Sequence, residues 1–250
     1  MQLPRSPHVS ALAWTGLGLA ALALPAGAQD ATAPKSTWKT TASVGAALTR
    51  GNSDTVTANA TWNSERKWSQ NEVFFGASAT YGETDDTTTA ANAAGFLQYN
   101  RLFSERLFGL VRVDALHDDV ADIAYRLTFS AGAGYYLVKN DKITLSVEAG
   151  PGYVLEKYHH QDQRDYATIR FGEKFTWQIS KTARLWQSLD YAPKIDDWAD
   201  YLLTAEIGIA TKVTESLDLR VVATDNYRSE PAPGRTENDF KLVAGVGYTF

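Results

Sequence analysis

The sequence predicts an all-β fold, an antiparallel transmembrane β-barrel of about twelve strands and of the outer-membrane type. Three observations predict it. Apolar residues alternate with small or polar ones through most of the chain, and period-2 alternation marks a strand with one apolar face. The connections between these segments run short and long in turn. Aromatic residues on the apolar parity gather at the strand ends, where their rings would favour a lipid–water interface. In a soluble barrel the apolar parity would fill the lumen, and rings would have no reason to sort by depth. Mean hydropathy is −0.29, which fits a barrel because only alternate residues face lipid.

Residues 1–28 read as a secretory signal peptide. Arg5 and His8 precede an apolar run from Ala11 to Leu24, followed by Pro25 and the small residues Ala26-Gly27-Ala28, so cleavage is expected before Gln29. The run of roughly 14 apolar residues is shorter than the about 20 that a membrane-spanning helix needs. Residues 29–37 (QDATAPKST) are expected to form a flexible leader, and the transmembrane barrel is expected over residues 38–250.

The first strand sets Trp38, Ala42, Val44 and Leu48 against Lys39, Thr41, Ser43 and Gly45. Arg50 to Asp54 is a turn, rich in residues that adopt positive φ or close side-chain turns. The second strand opposes Val56, Ala58, Ala60 and Trp62 to Thr57, Asn59 and Asn63. A third opposes Val73, Phe75 and Tyr81 to Gly76, Ser78 and Thr80. Glu83 to Thr89 (ETDDTTT) is expected to be a longer acidic loop. The fourth strand, about Ala91 to Arg101, points Leu97 and Tyr99 outward and Phe96, Gln98 and Asn100 inward.

The second half repeats the plan. Val111 and Val113 oppose Arg112 and Asp114; Leu127, Phe129 and Tyr135 oppose Thr128, Ser130 and Gly134; Leu145 and Val147 oppose Ser146 and Glu148. Ile169, Phe171, Phe175 and Trp177 follow, with Glu173 breaking their parity. Leu185, Leu189 and Tyr191 make a shorter strand, then Leu203, Ile207 and Ile209, then Leu217, Leu219 and Val221. The last strand, Asp239 to Phe250, alternates throughout. An edge of that length must be paired, and barrel closure leaves no edge.

About 220 residues remain after the signal peptide, enough for one barrel domain. Cysteine is absent, so no disulfide scaffold is expected. Loss of Arg5 makes the remaining chain slightly more acidic than the overall −5, which argues against nucleic acid as a partner. A barrel hydrolase would need a Ser–His pair on its outer face, with a third group orienting the imidazole. His117 has outward parity while Ser130 points inward, so no catalytic residue is assigned. His159 and His160 with Asp162 and Asp165 make a loose cluster whose spacing fits no defined metal site. Neither a metal nor a cofactor is expected.

Charges on the lumen parity alternate in sign. Arg112, Asp114, Glu148, Arg170, Lys174, Glu206, Asp218 and Arg220 are expected to line the interior, together with Lys39, Glu65, Glu72, Arg101, Arg126, Arg184, Asp190 and Lys241. Mixed signs are required, because a buried unpaired charge is costly. Two readings follow: a narrow porin-like channel for small ions or solutes, or a closed structural or adhesive barrel acting through its external loops. Asp85, Asp86, Asp118, Asp119, Asp122, Asp162, Asp165, Asp196, Asp197, Asp200, Glu230 and Glu237 fall in or beside those loops. They are expected to attract cations, giving a weak cation preference and divalent bridges to lipopolysaccharide.

Trp38 to Phe250 resembles the outer-membrane proteins grouped as domain of unknown function 481, some described as salt-stress-induced. The likeness rests on Gly51-Asn52-Ser53 after a first small-residue strand, on Gly132-Ala133-Gly134-Tyr135, on Gly150-Pro151-Gly152-Tyr153, and on the Gly245-x-Gly-Tyr-x-Phe ending. The resemblance implies a bacterial outer-membrane location and a barrel in outer-membrane lipid, and it brings no catalytic residues. The last strand also resembles the final strand of outer-membrane barrels. Tyr248 and Phe250 are therefore expected to form the signal read by the barrel assembly machinery.

Overall fold

A computed structural model describes residues 38–49 and 55–250. The expected signal peptide, the leader and the Arg50–Asp54 turn lie outside the described residues. Twelve strands follow one another: β1 (Lys39–Thr49), β2 (Thr55–Trp68), β3 (Asn71–Thr84), β4 (Thr87–Leu102), β5 (Leu107–Asp118), β6 (Ile123–Lys139), β7 (Ile143–Tyr158), β8 (Arg164–Gln178), β9 (Ala183–Pro193), β10 (Tyr201–Lys212), β11 (Leu217–Arg228) and β12 (Asn238–Thr249). Each is antiparallel to the next, and β12 returns to β1, closing the barrel. The seam runs in register from Thr41↔Thr249 to Gly45↔Gly245. Beyond it Thr40 and Phe250 exchange backbone hydrogen bonds of 3.2 and 3.0 Å.

The two parities separate as alternation requires. Val44, Phe75, Leu97, Val113, Phe129, Phe171, Ile207, Val221 and Leu242 are exposed on the outer face, while Gln98, Glu148, Glu156 and Arg170 are buried inside. An apolar surface running round the whole wall is what a lipid-embedded barrel presents. Glu173 keeps its outward place, paired across the sheet with Val147 and Leu189. Rings collect at both ends. Trp62 packs on Phe250 and Phe250 on Tyr248 at the short-turn end, with centroids 5.5 and 5.8 Å apart. At the other end Tyr191, Tyr201 and Tyr227 form a chain with spacings of 5.3 and 5.5 Å. The hydroxyls of Tyr81 and Tyr227 there donate to Glu83 and Glu237 at 2.6 and 2.7 Å.

Two expectations need correction. The acidic stretch Glu83–Thr89 is not a longer loop: Thr84 pairs with Thr87, and Asp85 and Asp86 alone make the turn, with φ of 48° and 60°. Two consecutive residues in the left-handed region give a type I′ hairpin, and aspartate is among the residues that tolerate it. The strands accordingly run on, to 14 residues in β3 and 16 in β4. Arg101 is not a lumen charge. It shares the parity of the outward Tyr99, and both donate to the Asn71 side chain, at 3.1 and 2.6 Å.

Inward glycines let the wall bend. A Cβ on Gly132 would run into the Ala149 carbonyl, and one on Gly150 into the Ala131 carbonyl, so β6 and β7 fold closely on one another. Gly45 and Gly245 make the same close approach across the β1–β12 seam. The two corners lie six strands apart, on opposite sides of the barrel.

Parity can be checked on β11. Val221 is 43% exposed outward, whereas Thr224 stands on the inner parity opposite Glu206 and Lys241. Val221→Arg is expected to block insertion or destabilise the barrel by roughly 2–4 kcal/mol, as charges near the bilayer midplane do. Thr224→Arg is expected to fold. Equal refolding of the two variants into lipid vesicles, followed by the mobility shift of unheated protein on a gel, would place Val221 in the lumen.

Candidate functional site

Inward side chains are arranged in three tiers, while Thr57, Asn59, Thr204 and Thr224 on the inner parity of β2, β10 and β11 stay at least partly accessible. Nearest the short turns, Phe108, Leu110 and Tyr136 form an apolar cluster with Leu102. The Tyr136 hydroxyl donates to the buried Glu72 carboxylate at 2.6 Å, which also accepts from Asn100 at 3.2 Å. On the opposite wall Arg220 pairs with Asp218 at 2.7 Å and lies flat over Gly247, filling the space a Cβ would take. Trp186 lies over Gly208 in the same way and donates its Nε1–H to Glu206 at 2.7 Å.

The middle tier is a continuous network around Gln98, which is fully buried. Glu148 accepts from Gln98 Nε2 at 2.9 Å, from Arg170 Nη1 at 2.9 Å and from Lys174 Nζ at 3.1 Å. The Gln98 Oε1 atom accepts from Arg112 at 3.0 Å and from Lys174 at 2.8 Å. Arg112 grips Asp114 through Nη2 at 2.6 Å and stacks on Phe96 with its guanidinium carbon 4.3 Å from the ring centroid. Arg170 also pairs with Asp190. Three carboxylates, Asp114, Glu148 and Asp190, thus face three cations, Arg112, Arg170 and Lys174. Amide and charged groups from five strands, β4, β5, β7, β8 and β9, are tied into one unit, and this balance makes their burial tolerable.

The upper tier, under the long loops, is different. Glu156 is wholly buried and accepts from three arginines at 2.7 Å each: Arg126, Arg164 and Arg228. Arg228 reaches it from β11, four strands round the wall from β7, and its Nε–H donates to the Glu230 carbonyl at 2.5 Å. The β11–β12 loop then turns inward, and Ala232 packs against Ile123 and Tyr158, with Leu116 and Ala121 beside them. The mouth is strapped from one wall to the other. Among the described residues, Nη2 of Arg126 and Nη2 of Arg228 are buried without a hydrogen-bond partner.

All eight charges singled out from the sequence, Arg112, Asp114, Glu148, Arg170, Lys174, Glu206, Asp218 and Arg220, sit on the lumen side. Glu156, Arg164 and Arg228 were missed. Glu156 continues the inward parity of Ser146 and Glu148 to the end of β7, so the alternation itself carries its place. Two of the external carboxylates are buried rather than solvated. Asp118 is buried and accepts the Ala121 N–H at 2.9 Å. Asp200 is buried and bridged by Lys194 at 2.7 Å, which pushes the lysine above its ordinary range. His159 is brought not to Asp162 and Asp165 but to His117 and Asp119.

Residues 42–250 match the family described as "Protein of unknown function, DUF481". Comparison with curated proteins finds no match. Among solved structures, the NanC porin superposes with a TM-score of 0.52 at 9% identity, covering 85% of this chain and all of that one. The translocator domain of the autotransporter NalP from Neisseria meningitidis gives 0.44 at 13% identity, covering 85% and 87%. The KdgM porin in complex with disordered oligogalacturonate gives 0.44 at 8% identity, covering 86% and 99%. At these identities the likeness to NanC is one of fold.

The middle tier predicts a contrast in stability. Glu148→Gln keeps the shape but leaves Lys174 and half of Arg170 uncompensated, and is expected to cost about 3–5 kcal/mol. Lys39→Ala, which removes an exposed pair with Glu65 at 3.5 Å, should cost no more than about 1 kcal/mol. Urea unfolding in lipid vesicles measures both, and comparable losses would deny the network its role.

Proposed function

The chain belongs to the DUF481 family, and on that premise we propose that it is an outer-membrane barrel whose narrow lumen is closed at rest and opens as a gated channel for small ions. The outward apolar wall, the two ends rich in aromatic rings and a fold shared with a porin support the location. The observation that carries the gate is the Arg228–Glu156 bridge of 2.7 Å, made across the lumen by the residue at the root of the β11–β12 loop. Ion pairs within the wall suffice to neutralise a barrel that only has to stand in the membrane. A strap from β11 to β7 does something more: it joins a long loop to the far side of the mouth. Releasing it requires Arg228 to leave Glu156, the Tyr166 hydroxyl at 3.4 Å and the Tyr158 ring, and one alanine to leave its seat, while the middle network stays intact.

Two fields act on an ion at this mouth. The exposed carboxylates Asp85, Asp86, Asp162, Asp196 and Asp197 attract cations, but their reach in water is only about 8 Å at physiological salt. At the constriction three guanidiniums surround one carboxylate. Selectivity is set where the path is narrowest and least hydrated, so the arginines favour anions over the cations that the loops would gather.

Single-channel recording in planar bilayers tests this. Wild-type protein is expected to show rare, brief openings, and Arg228→Gln sustained ones, with a reversal potential in a KCl gradient of anion sign. A steadily open wild type, a silent Arg228→Gln or a cation-selective current would overturn the corresponding part. Silence in both proteins would favour the closed structural barrel.

A further inference from the structure

We propose that His117, Asp119 and His159 form a binding site for a divalent transition metal of the zinc class on the outer rim of the barrel. His117 is the penultimate residue of β5, Asp119 opens the turn to β6, and His159 follows β7. Nε2 of His117 and Nε2 of His159 each lie 3.3 Å from the same Oδ1 of Asp119, and the three ligand atoms fall within 4.8 Å of one another. Ligands bound to zinc at about 2.0–2.1 Å in a tetrahedral arrangement stand roughly 3.3 Å apart. Two of the three separations are therefore those of a metal site, and the third is at most 4.8 Å.

The tautomer agrees. Nδ1 of His117 is 2.8 Å from the Ala124 carbonyl oxygen. A carbonyl only accepts, so Nδ1 carries the hydrogen and, in the neutral ring, Nε2 presents a lone pair towards Asp119. A lone pair and a carboxylate oxygen repel at that distance unless a proton or a metal ion lies between them. The same Nδ1–H to carbonyl bond is the outer contact that ordinarily orients a metal-ligating imidazole. The His159 N–H donates to the Asp122 carbonyl at 3.0 Å, so the backbone already holds the second ligand beside the β5–β6 turn.

Two imidazoles and one carboxylate suit zinc, nickel or copper. Calcium and magnesium need six or more oxygens, which this corner does not supply. The histidine side chains are 46% and 36% exposed, which gives an ion a direct path from outside and leaves its remaining positions to water. The site also has a structural partner. Leu116 and Tyr158, the chain neighbours of His117 and His159, face inward and seat Ala232. An ion on the outer side would clamp the rim on which the β11–β12 loop rests. The site stands whether or not the lumen conducts.

The test uses the folded chain without a histidine tag, in detergent, titrated with ZnCl2 by calorimetry. One saturable site per barrel is expected, undisturbed by equal calcium. His117→Ala and His159→Ala should each weaken it by about tenfold or more, and His160→Ala, which removes a neighbouring ring that supplies no ligand atom to the cluster, should leave it unchanged. A second readout needs no variant: zinc should protect His117 and His159 of the wild type from diethyl pyrocarbonate while His160 stays reactive, as peptide masses report. No saturable uptake at millimolar zinc, unchanged affinity in both substituted proteins, or equal modification of all three histidines would overturn the proposal.

Discussion

A backbone amide or carbonyl left unpaired in hydrocarbon costs several kcal/mol, and lipid offers no water to satisfy it. Everything in this chain depends on the sheet closing, and closure is made at the β1–β12 seam. Small residues permit it. Gly45 and Gly245 stand opposite each other, each so near the other strand's carbonyl that a side chain would not fit, and the aromatic cluster of Trp62, Tyr248 and Phe250 covers the short-turn end of the joint. The second tight corner, at Gly132 and Gly150, lies on the opposite side. Across the barrel interior Lys174 on β8 reaches Gln98 on β4, at 2.8 Å.

Closure also decides what the interior must contain. The apolar parity is committed to lipid, so the inner parity has to carry the polar residues, and polar groups withdrawn from water need partners. The middle tier solves this with equal numbers of cations and carboxylates arranged about a neutral amide. Gln98 is suited to that place because it donates and accepts at once: its nitrogen serves Glu148 and its oxygen serves Arg112 and Lys174. A charged residue there would satisfy one sign and repel the other. The upper tier leaves the balance uneven, with three arginines on Glu156, and it is there that the loop crosses.

Alternation made the strands, the outward face and most lumen residues legible, because each is a property of one strand and its parity. Contacts between strands distant in sequence were not. Nothing near Glu156 announces Arg228, which comes 72 residues later, and nothing near His159 announces His117, which lies on a strand that is not its direct neighbour. Both pairings exist because the barrel's curvature and stagger bring the residues together, and a one-dimensional pattern does not record either. Local reading failed at Asp85-Asp86 for another reason. Acidity suggested a solvated loop, whereas the φ values of both residues show a two-residue turn that aspartate makes nearly as readily as asparagine. Arg101 was misplaced by its charge against its own parity; the parity was right.

The strap at the mouth sits at the root of a long connection. The β11–β12 connection is the longest between described strands, from Ser229 to Glu237. Its hold on the far wall consists of Arg228, bound to Glu156 and the Tyr166 hydroxyl and set over the Tyr158 ring, and of the small contact of Ala232. Arg228 takes part in both the wall and the loop: Nη1 binds Glu156 while Nε fixes the Glu230 carbonyl. Loss of the first bond therefore loosens the second, since the guanidinium that orients the loop is the one that anchors it. A segment whose attachment is concentrated in one side chain can separate as a unit with the barrel unchanged beneath it, because local opening is governed by the few contacts that hold the segment and not by the stability of the whole.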